Sequence, residues 1–119
     1  PEESEATAYI KAMGSLLPPP PPGAPGPFAL SADGALEALA IKAGLTPSVV
    51  KKVECPWDYP NEKIALRGLL SSGPAIRAIQ EKGENMVRDL ILQVIAPFKT
   101  SSGGYYLTNN FHYLIATTE

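Results

Sequence analysis

Phe111-His112-Tyr113-Leu114-Ile115-Ala116, a run near the C-terminus, decides the fold of this 119-residue chain. The run is apolar on both faces of the strand that it would form, which is typical of a strand buried on both sides. Such a strand needs neighbours, and the rest of the chain supplies few of them. We therefore expect the missing neighbours to come from another chain or from sequence upstream of Pro1.

Two other stretches favour strands. Val49 to Cys55 alternates only partly between apolar and charged residues, which suits a strand with one wetter face. Tyr105 to Leu107 predicts a short strand, and Thr108-Asn109-Asn110 after it predicts a tight turn, because asparagine tolerates the positive φ values of tight hairpins. A long helical stretch separates the first strand from the last two, so pattern alone leaves the direction of their pairing open.

Helical spacing of apolar residues predicts five helices. The first covers residues 1–17, and the second begins at a cap on Ser31 or Asp33 and ends at Gly44. Three helices follow in quick succession before Pro97. The last of the three has the most regular apolar repeat, formed by Val87, Leu90, Ile91, Val94 and Ile95.

Residues 18–30 form a proline-rich segment that includes the unbroken run Pro18 to Pro22. Proline lacks the backbone N–H, so the segment is expected to be extended. It could be a ligand for a proline-recognising module or a stiff connector over the domain surface. The connector is favoured because no flanking basic residue completes a recognition motif.

Composition limits the classes of function. The net charge of −2 provides no basic surface for nucleic acid or anionic lipid, and the apolar run Leu90 to Ile95 is too short to span a membrane. The single cysteine, Cys55, excludes an internal disulfide and a thiolate metal site, and it fits a cytoplasmic setting. The start Pro1-Glu2-Glu3 does not match a secretory signal, and we expect a longer parent protein.

Several phrases, in order along the chain, resemble the C-terminal half of a microbial branch of the class I S-adenosylmethionine-dependent methyltransferases. Each phrase is weak alone, but their order is more specific, and together they cover nearly the whole chain. The phrases are Glu37 to Leu45, Trp57-Asp58-Tyr59-Pro60, Ala65 to Pro74, Ala96 to Thr100, Gly103 to Leu107 and Phe111 to Ala116.

The resemblance implies an α+β chain that is the C-terminal part of a Rossmann-like methyltransferase fold. In that family the last two strands form an antiparallel edge, here roughly Val49 to Cys55 and Phe111 to Thr117, with helices between them on the substrate side. One departure matters. No Gly-x-Gly-x-Gly is present, and Gly103-Gly104 lies in the wrong context, so the cofactor-binding half is expected to be absent.

Candidate site residues are few, and no catalytic residue, cofactor-binding residue or metal ligand is assigned. Large rings held extended between prolines can line a pocket, which makes Trp57 and Tyr59 substrate-pocket candidates, joined by Phe28; the alternative is that these rings fix the linker onto the core. Arg67 could meet an anionic substrate, although a solvated helix face is favoured. His112 is interpreted mainly as a structural histidine.

The functional expectation is therefore the substrate-side segment of a methyltransferase acting on a small molecule, inactive alone. S-adenosylmethionine would bind the parent enzyme, and no cofactor is expected on this chain by itself. The expected partner is the missing N-terminal half, or a second copy through the sheet edge. The alternative is a non-catalytic module that dimerises or binds a small ligand; neither reading involves nucleic acid or a membrane.

Overall fold

A computed structural model describes residues 3–118 and has an α+β architecture. The described residues contain five α-helices, a 3-10 helix and four strands that pair antiparallel in two separate ribbons. In chain order the elements are α1 Thr7–Ser15, α2 Ala35–Lys42, β1 Thr46–Glu54, β2 Trp57–Tyr59, α3 Glu62–Leu70, α4 Gly73–Lys82, α5 Glu84–Ile95, the 3-10 helix Ala96–Phe98, β3 Tyr105–Leu107 and β4 Asn110–Thr117.

The first helix begins later than the sequence predicts. Residues 1 and 2 lie outside the described part, and α1 starts at Thr7 because the preceding residues are bonded to the C-terminal strand region. The Glu5 backbone N–H donates to the Thr108 carbonyl at 2.8 Å, and the Ser4 hydroxyl donates to the Asn110 carbonyl at 3.1 Å. The start of α1 is therefore fixed by residues more than a hundred positions away.

The main core lies between α1, α3, α4, α5 and the β2–β3 ribbon. The α5 repeat is confirmed as its centre, since Val87, Ile91 and Ile95 are completely buried. Tyr9 of α1 is buried in this core, and its hydroxyl donates a hydrogen bond to the Leu69 carbonyl at 2.8 Å. The other buried members are Met13, Ala65, Leu69, Ala75, Ala78, Tyr105 and Leu107.

Local sequence explains where α3, α4 and α5 begin. The Asn61 side chain accepts from the Ile64 backbone N–H at 2.9 Å and caps α3. Ser72 caps α4, with Pro74 in its first turn. Gly83 separates α4 from α5 with a φ of 88°, which favours glycine.

The expected side-chain cap of α2 is wrong. Gly34, with a φ of 81°, precedes α2, and neither Ser31 nor Asp33 caps it with its side chain. On α4 the buried side is formed by Ala75 and Ala78, whereas Ile76 is 46% exposed. Small residues bring α4 close to its neighbours, so the larger isoleucine points outward.

The strand pairing differs from a C-terminal hairpin. Strand β4 pairs with β1 from Thr46↔Thr117 to Glu54↔Asn110, whereas β3 pairs with β2. The link from Thr108 to Asn110 therefore carries the chain from one ribbon to the other. No described residue other than glycine has a positive φ, so the tight turn predicted at Asn109 is not formed.

The β1–β4 ribbon has one face that α2 covers only in part, since Val50 there is still 39% exposed, and one open face. Directly opposite residues of an antiparallel pair share a face. Helix α2 packs on the face that carries Val50, Lys52, His112 and Leu114. The open face carries Val49, Lys51, Val53, Phe111, Tyr113 and Ile115.

Strand β4 is consequently not buried on both sides within this chain. On the open face Phe111 is 47% exposed, Tyr113 41% and Ile115 51%. Residues 3–118 therefore do not bury β4 on both sides. The expectation that its neighbours come from another chain or from upstream sequence stays a prediction.

The radius of gyration and the accessible surface are both larger than those of a compact domain of this size. The radius of gyration is 16.9 Å, whereas a compact domain of this length is expected to have about 13.5 Å. The accessible surface is 7913 Å², against about 6,200 Å² for a compact monomer of this mass. Part of the excess belongs to the proline-rich segment, in which residues 18–27 are all exposed.

A matched pair of isoleucines tests where the core lies. Ile91→Ala removes a completely buried side chain and should lower the free energy of unfolding by about 2–5 kcal/mol. Ile76→Ala, on the exposed side of α4, should change it by less than about 0.5 kcal/mol. Urea denaturation followed by circular dichroism measures both. Equal losses in the two variants would contradict the assignment of α5 as the core helix.

Candidate functional site

A cavity of about 520 Å³ lies between the start of α1, the end of the proline-rich segment, α2 and the first residues of β4. Its apolar wall is formed by Ile10, Phe28, Leu36 and Trp57. The size is within the range of sites for small organic ligands, and the mixture of aromatic and polar lining is also typical of them. Its polar residues include Glu3, Ser4, Asp33, Lys52, Asn110 and His112.

Trp57 is held in the apolar wall from two directions. On β2 it pairs with Leu107 of β3, which is completely buried. Its ring meets the Tyr9 ring edge-on, with the centroids 5.9 Å apart and the planes at 72°. Burial raises the pKa of Tyr9, an effect that its hydrogen bond with Ser72 partly offsets. Tyr9 therefore stays a neutral, well-anchored support for the tryptophan.

Asn109 joins the elements around the cavity. This residue is only 2% exposed and uses both ends of its amide. The side-chain oxygen accepts from the Ala6 backbone N–H at 3.0 Å, and the side-chain nitrogen donates to the carbonyls of Cys55 at 3.2 Å and Leu107 at 3.4 Å. One buried side chain thus connects the start of α1 to the ends of β1 and β3.

An ion pair lies at the polar edge of the cavity. Lys52 Nζ is 2.5 Å from Glu3 Oε1, and this hydrogen bond lowers the pKa of Glu3 and raises the pKa of Lys52. The charges of His112 and Asp33 act in the same directions, His112 on Glu3 and Asp33 on Lys52. Both partners are half exposed, so the pair orients side chains more than it stabilises the fold.

The structure brings together two of the four substrate-pocket candidates. Phe28 and Trp57 line the same cavity, although they are far apart in sequence. Tyr59 does not line it; its ring lies against Gly68 of α3, and burial raises the pKa of its hydroxyl. Arg67 is exposed on α3 and is also outside the lining.

Sequence reasoning missed several residues of this site. His112, interpreted as structural, lines the cavity, as do Glu3 and Lys52. Asn109 was assigned to a turn, whereas it is the buried hydrogen-bonding centre of the region. The proximity of Glu3 to Lys52 depends on how α1 meets β1, and no local pattern carries that information.

S-adenosylmethionine, which the resemblance implies for the parent enzyme, does not fit the described residues. A nucleotide cofactor in a Rossmann-like fold needs a glycine-rich turn between a strand and a helix. The only adjacent glycines, Gly103 and Gly104, precede a strand, and a Cβ at Gly104 would lie 2.4 Å from the Tyr59 carbonyl oxygen. This turn is therefore closed by the chain's own backbone and offers no cradle for phosphate or ribose.

Residues 3–118 contain neither a candidate metal-binding cluster nor a helix able to cross a membrane. That part of the chain has no cluster of three or more His, Cys, Asp or Glu residues able to hold a metal ion. None of its helices combines the length and the apolar character needed to cross a bilayer.

Comparisons of the chain with protein-family models, curated proteins and solved structures give no match in any of the three sets. The cavity and the open ribbon are therefore interpreted from their own chemistry.

Removing the Asn109 side chain tests its connecting role. Asn109→Ala leaves the Ala6 N–H and two carbonyls without their partner and should cost about 2 kcal/mol or more of folding free energy. Asn85→Ala, at an exposed position on α5, is the matched control and should stay within about 0.5 kcal/mol. Chemical denaturation of both variants makes the comparison. An unchanged free energy of unfolding in Asn109→Ala would show that water replaces these hydrogen bonds at no cost.

Proposed function

We propose that this chain is the substrate-side, C-terminal segment of a class I S-adenosylmethionine-dependent methyltransferase that acts on a small molecule. The observation that carries the proposal is the antiparallel β1–β4 ribbon, in which an apolar strand and an apolar face have no covering partner among the described residues. A cytoplasmic location belongs to the same proposal.

The residue types of the two strands indicate which one is the outer strand of a larger sheet. Strand β1 contains Pro47, Lys51, Lys52 and Glu54, and proline and lysine are residues that protect sheet edges. Strand β4 contains no acidic residue, lysine, arginine or proline. A charge-poor strand with a free edge suits an interior position, so the missing neighbour belongs beside β4.

The amount of uncovered surface supports a substantial missing layer. The accessible area exceeds that of a compact monomer of the same mass by about 1,700 Å². Part of this belongs to the exposed proline-rich segment, and one partner of a standard stable interface buries about 800 Å². The open face supplies a coherent part of the excess, through Val53, Phe111, Tyr113 and Ile115. A helix or sheet layer from the rest of an enzyme would cover such a face.

The position of the ribbon also supports the methyltransferase proposal. The resemblance implies an antiparallel pair of roughly Val49 to Cys55 with Phe111 to Thr117, and β1 and β4 pair antiparallel over this range. The helices α3, α4 and α5 lie between them in sequence, as the resemblance implies.

In this proposal the chain supplies walls of the acceptor pocket. Much of the catalytic effect in methyl transfer comes from holding two reactants together in a dry site. The cavity with Phe28 and Trp57 suits that task, and its lining contains no glycine-rich cofactor cradle. The other half of the enzyme would hold the cofactor, and the chain alone would be inactive.

The alternative is a non-catalytic module that dimerises through the free edge of β4 or carries a small ligand. The same open ribbon favours it, because two copies could pair their β4 strands and bury the apolar residues. In the methyltransferase reading another segment of the enzyme covers β4. In the dimerising reading β4 of a second copy of this chain covers it.

Cofactor binding separates the two readings. Isothermal titration calorimetry should detect no S-adenosylmethionine binding to the 119-residue chain, since its residues form no cradle for that cofactor. The product of the complete open reading frame that encodes the chain should bind it. Binding by the chain alone, or no binding by the complete product, would overturn the proposal.

A substitution on the open face tests what covers it. In the 119-residue chain Ile115→Lys should change the free energy of unfolding by less than about 0.5 kcal/mol, because Ile115 is 51% exposed. In the product of the complete reading frame the same change should cost several times more, because a covered face would bury the new charge. Ile76→Lys, on α4 away from the ribbon, is the control and should be tolerated in both.

Sedimentation of the unmodified chain completes this test. A monomer is expected at micromolar concentration. A stable dimer that Ile115→Lys dissociates would support the dimerising module instead.

A further inference from the structure

The cavity beside Trp57 selects among ligands by charge and by hydrogen bonding. Its apolar wall presents the flat rings of Phe28 and Trp57 together with Ile10 and Leu36. Aromatic side chains contribute large contact areas and favour stacked or edge-on contact with other rings. This wall therefore suits a ligand with a planar, apolar body.

The charges at the polar edge disfavour an anion. Glu3 and Lys52 neutralise each other through their 2.5 Å contact. Asp33 also lines the cavity, so carboxylates outnumber lysine ammonium groups there by two to one. A carboxylate or phosphate ligand would meet two carboxylates and an ammonium that is already paired, which is an unfavourable Coulomb environment.

The hydrogen-bonding groups that remain available point to a neutral ligand. The Asn109 amide is fully used, and the hydroxyls of Ser4 and Ser31 both donate to backbone carbonyls. Within residues 3–118 the His112 imidazole has no hydrogen-bond partner and lines the cavity. Its ring nitrogens, together with the side-chain amide of Asn110 that also lines the cavity, can hydrogen-bond a hydroxyl group.

We infer that this cavity binds a neutral, ring-containing small molecule that carries a hydroxyl group, with the ring against Phe28 and Trp57 and the hydroxyl at His112. The inference rests on the proposed function only in taking this cavity as the acceptor site; the ligand chemistry follows from the lining itself. Within that function, the acceptor class is a hydroxylated ring compound and not an organic acid.

The single tryptophan provides a direct measurement. Trp57 is the only tryptophan of the chain, so its indole N–H gives one side-chain resonance in a ¹H–¹⁵N spectrum. Three probes of the same shape are titrated at pH 7: 4-ethylphenol, 4-ethylbenzoate ion and 4-ethylbenzylammonium. The phenol should shift the Trp57 resonance and bind at least about tenfold more tightly than the benzoate. The ammonium should also bind more weakly than the phenol. Equal or tighter binding of either ion, or no shift with the phenol, overturns the inference.

A methyl ether and one variant test the hydroxyl contact. 4-Ethylanisole cannot donate a hydrogen bond and should bind about fivefold more weakly than 4-ethylphenol, as expected for one neutral hydrogen bond. His112→Phe keeps a ring at an exposed position and should abolish that difference, while Arg67→Gln, outside the cavity, should preserve it. If His112→Phe still binds 4-ethylphenol more tightly than 4-ethylanisole, the ligand hydroxyl binds elsewhere. That result would refute its contact with His112.

These results are independent of the cofactor measurement. Probe binding by the 119-residue chain requires no S-adenosylmethionine and no methyl transfer. If the phenol does not bind but the product of the complete reading frame binds S-adenosylmethionine, only the ligand class is refuted. If the phenol binds but that product does not bind S-adenosylmethionine, only the methyltransferase proposal is refuted.

Discussion

The buried Asn109 amide is the contact on which the arrangement of this molecule depends. Three separate pieces meet at one side chain: the beginning of α1, the residue after β1 and the last residue of β3. The helical core and the β1–β4 ribbon have few other links, and those nearby, through Ser4 and Glu5, reach the same segment. A buried amide must satisfy its donors and acceptors, so the geometry of this junction is tightly specified. Because Asn109 lines the cavity together with Trp57, Glu3 and Lys52, the shape of the cavity depends on the same contact.

The amino-acid sequence predicts the helices better than it predicts how strands pair. Val87, Ile91 and Ile95 of the α5 repeat are fully buried, because their regular spacing places them on one side of a straight helix. The positions of β1, β3 and β4 were also predicted, but β2 was not predicted as a strand, and neither was its pairing with β3. Pairing depends on how the helices between the strands fold back, which is a property of the whole chain. Asn109 illustrates this limit: its residue type favours turns, and only the tertiary structure gives it three buried partners.

The candidate site was predictable where large rings were constrained by proline, and not where charges meet across the fold. Phe28 and Trp57, two of the substrate-pocket candidates, line one cavity. Tyr59 follows the same local logic, yet it packs against Gly68, because the absent side chain there leaves room for its ring. His112 and Lys52 belong to facing positions of β4 and β1. Their proximity to Glu3 is a consequence of strand register, so a search for short motifs cannot find it.

The exposed segment of residues 18–27 connects α1 to the wall that holds Phe28. Seven of its ten residues are proline, and each proline ring fixes its own φ. The tract is not straight, because the chain turns at Pro22 and Gly23. Its restricted φ values nevertheless limit how far Phe28 can lie from α1. Adding or deleting a proline would change the length of this connection by at most about 3 Å per residue. Evolution could therefore adjust the width of the entrance for a different ligand without altering a single residue of the core.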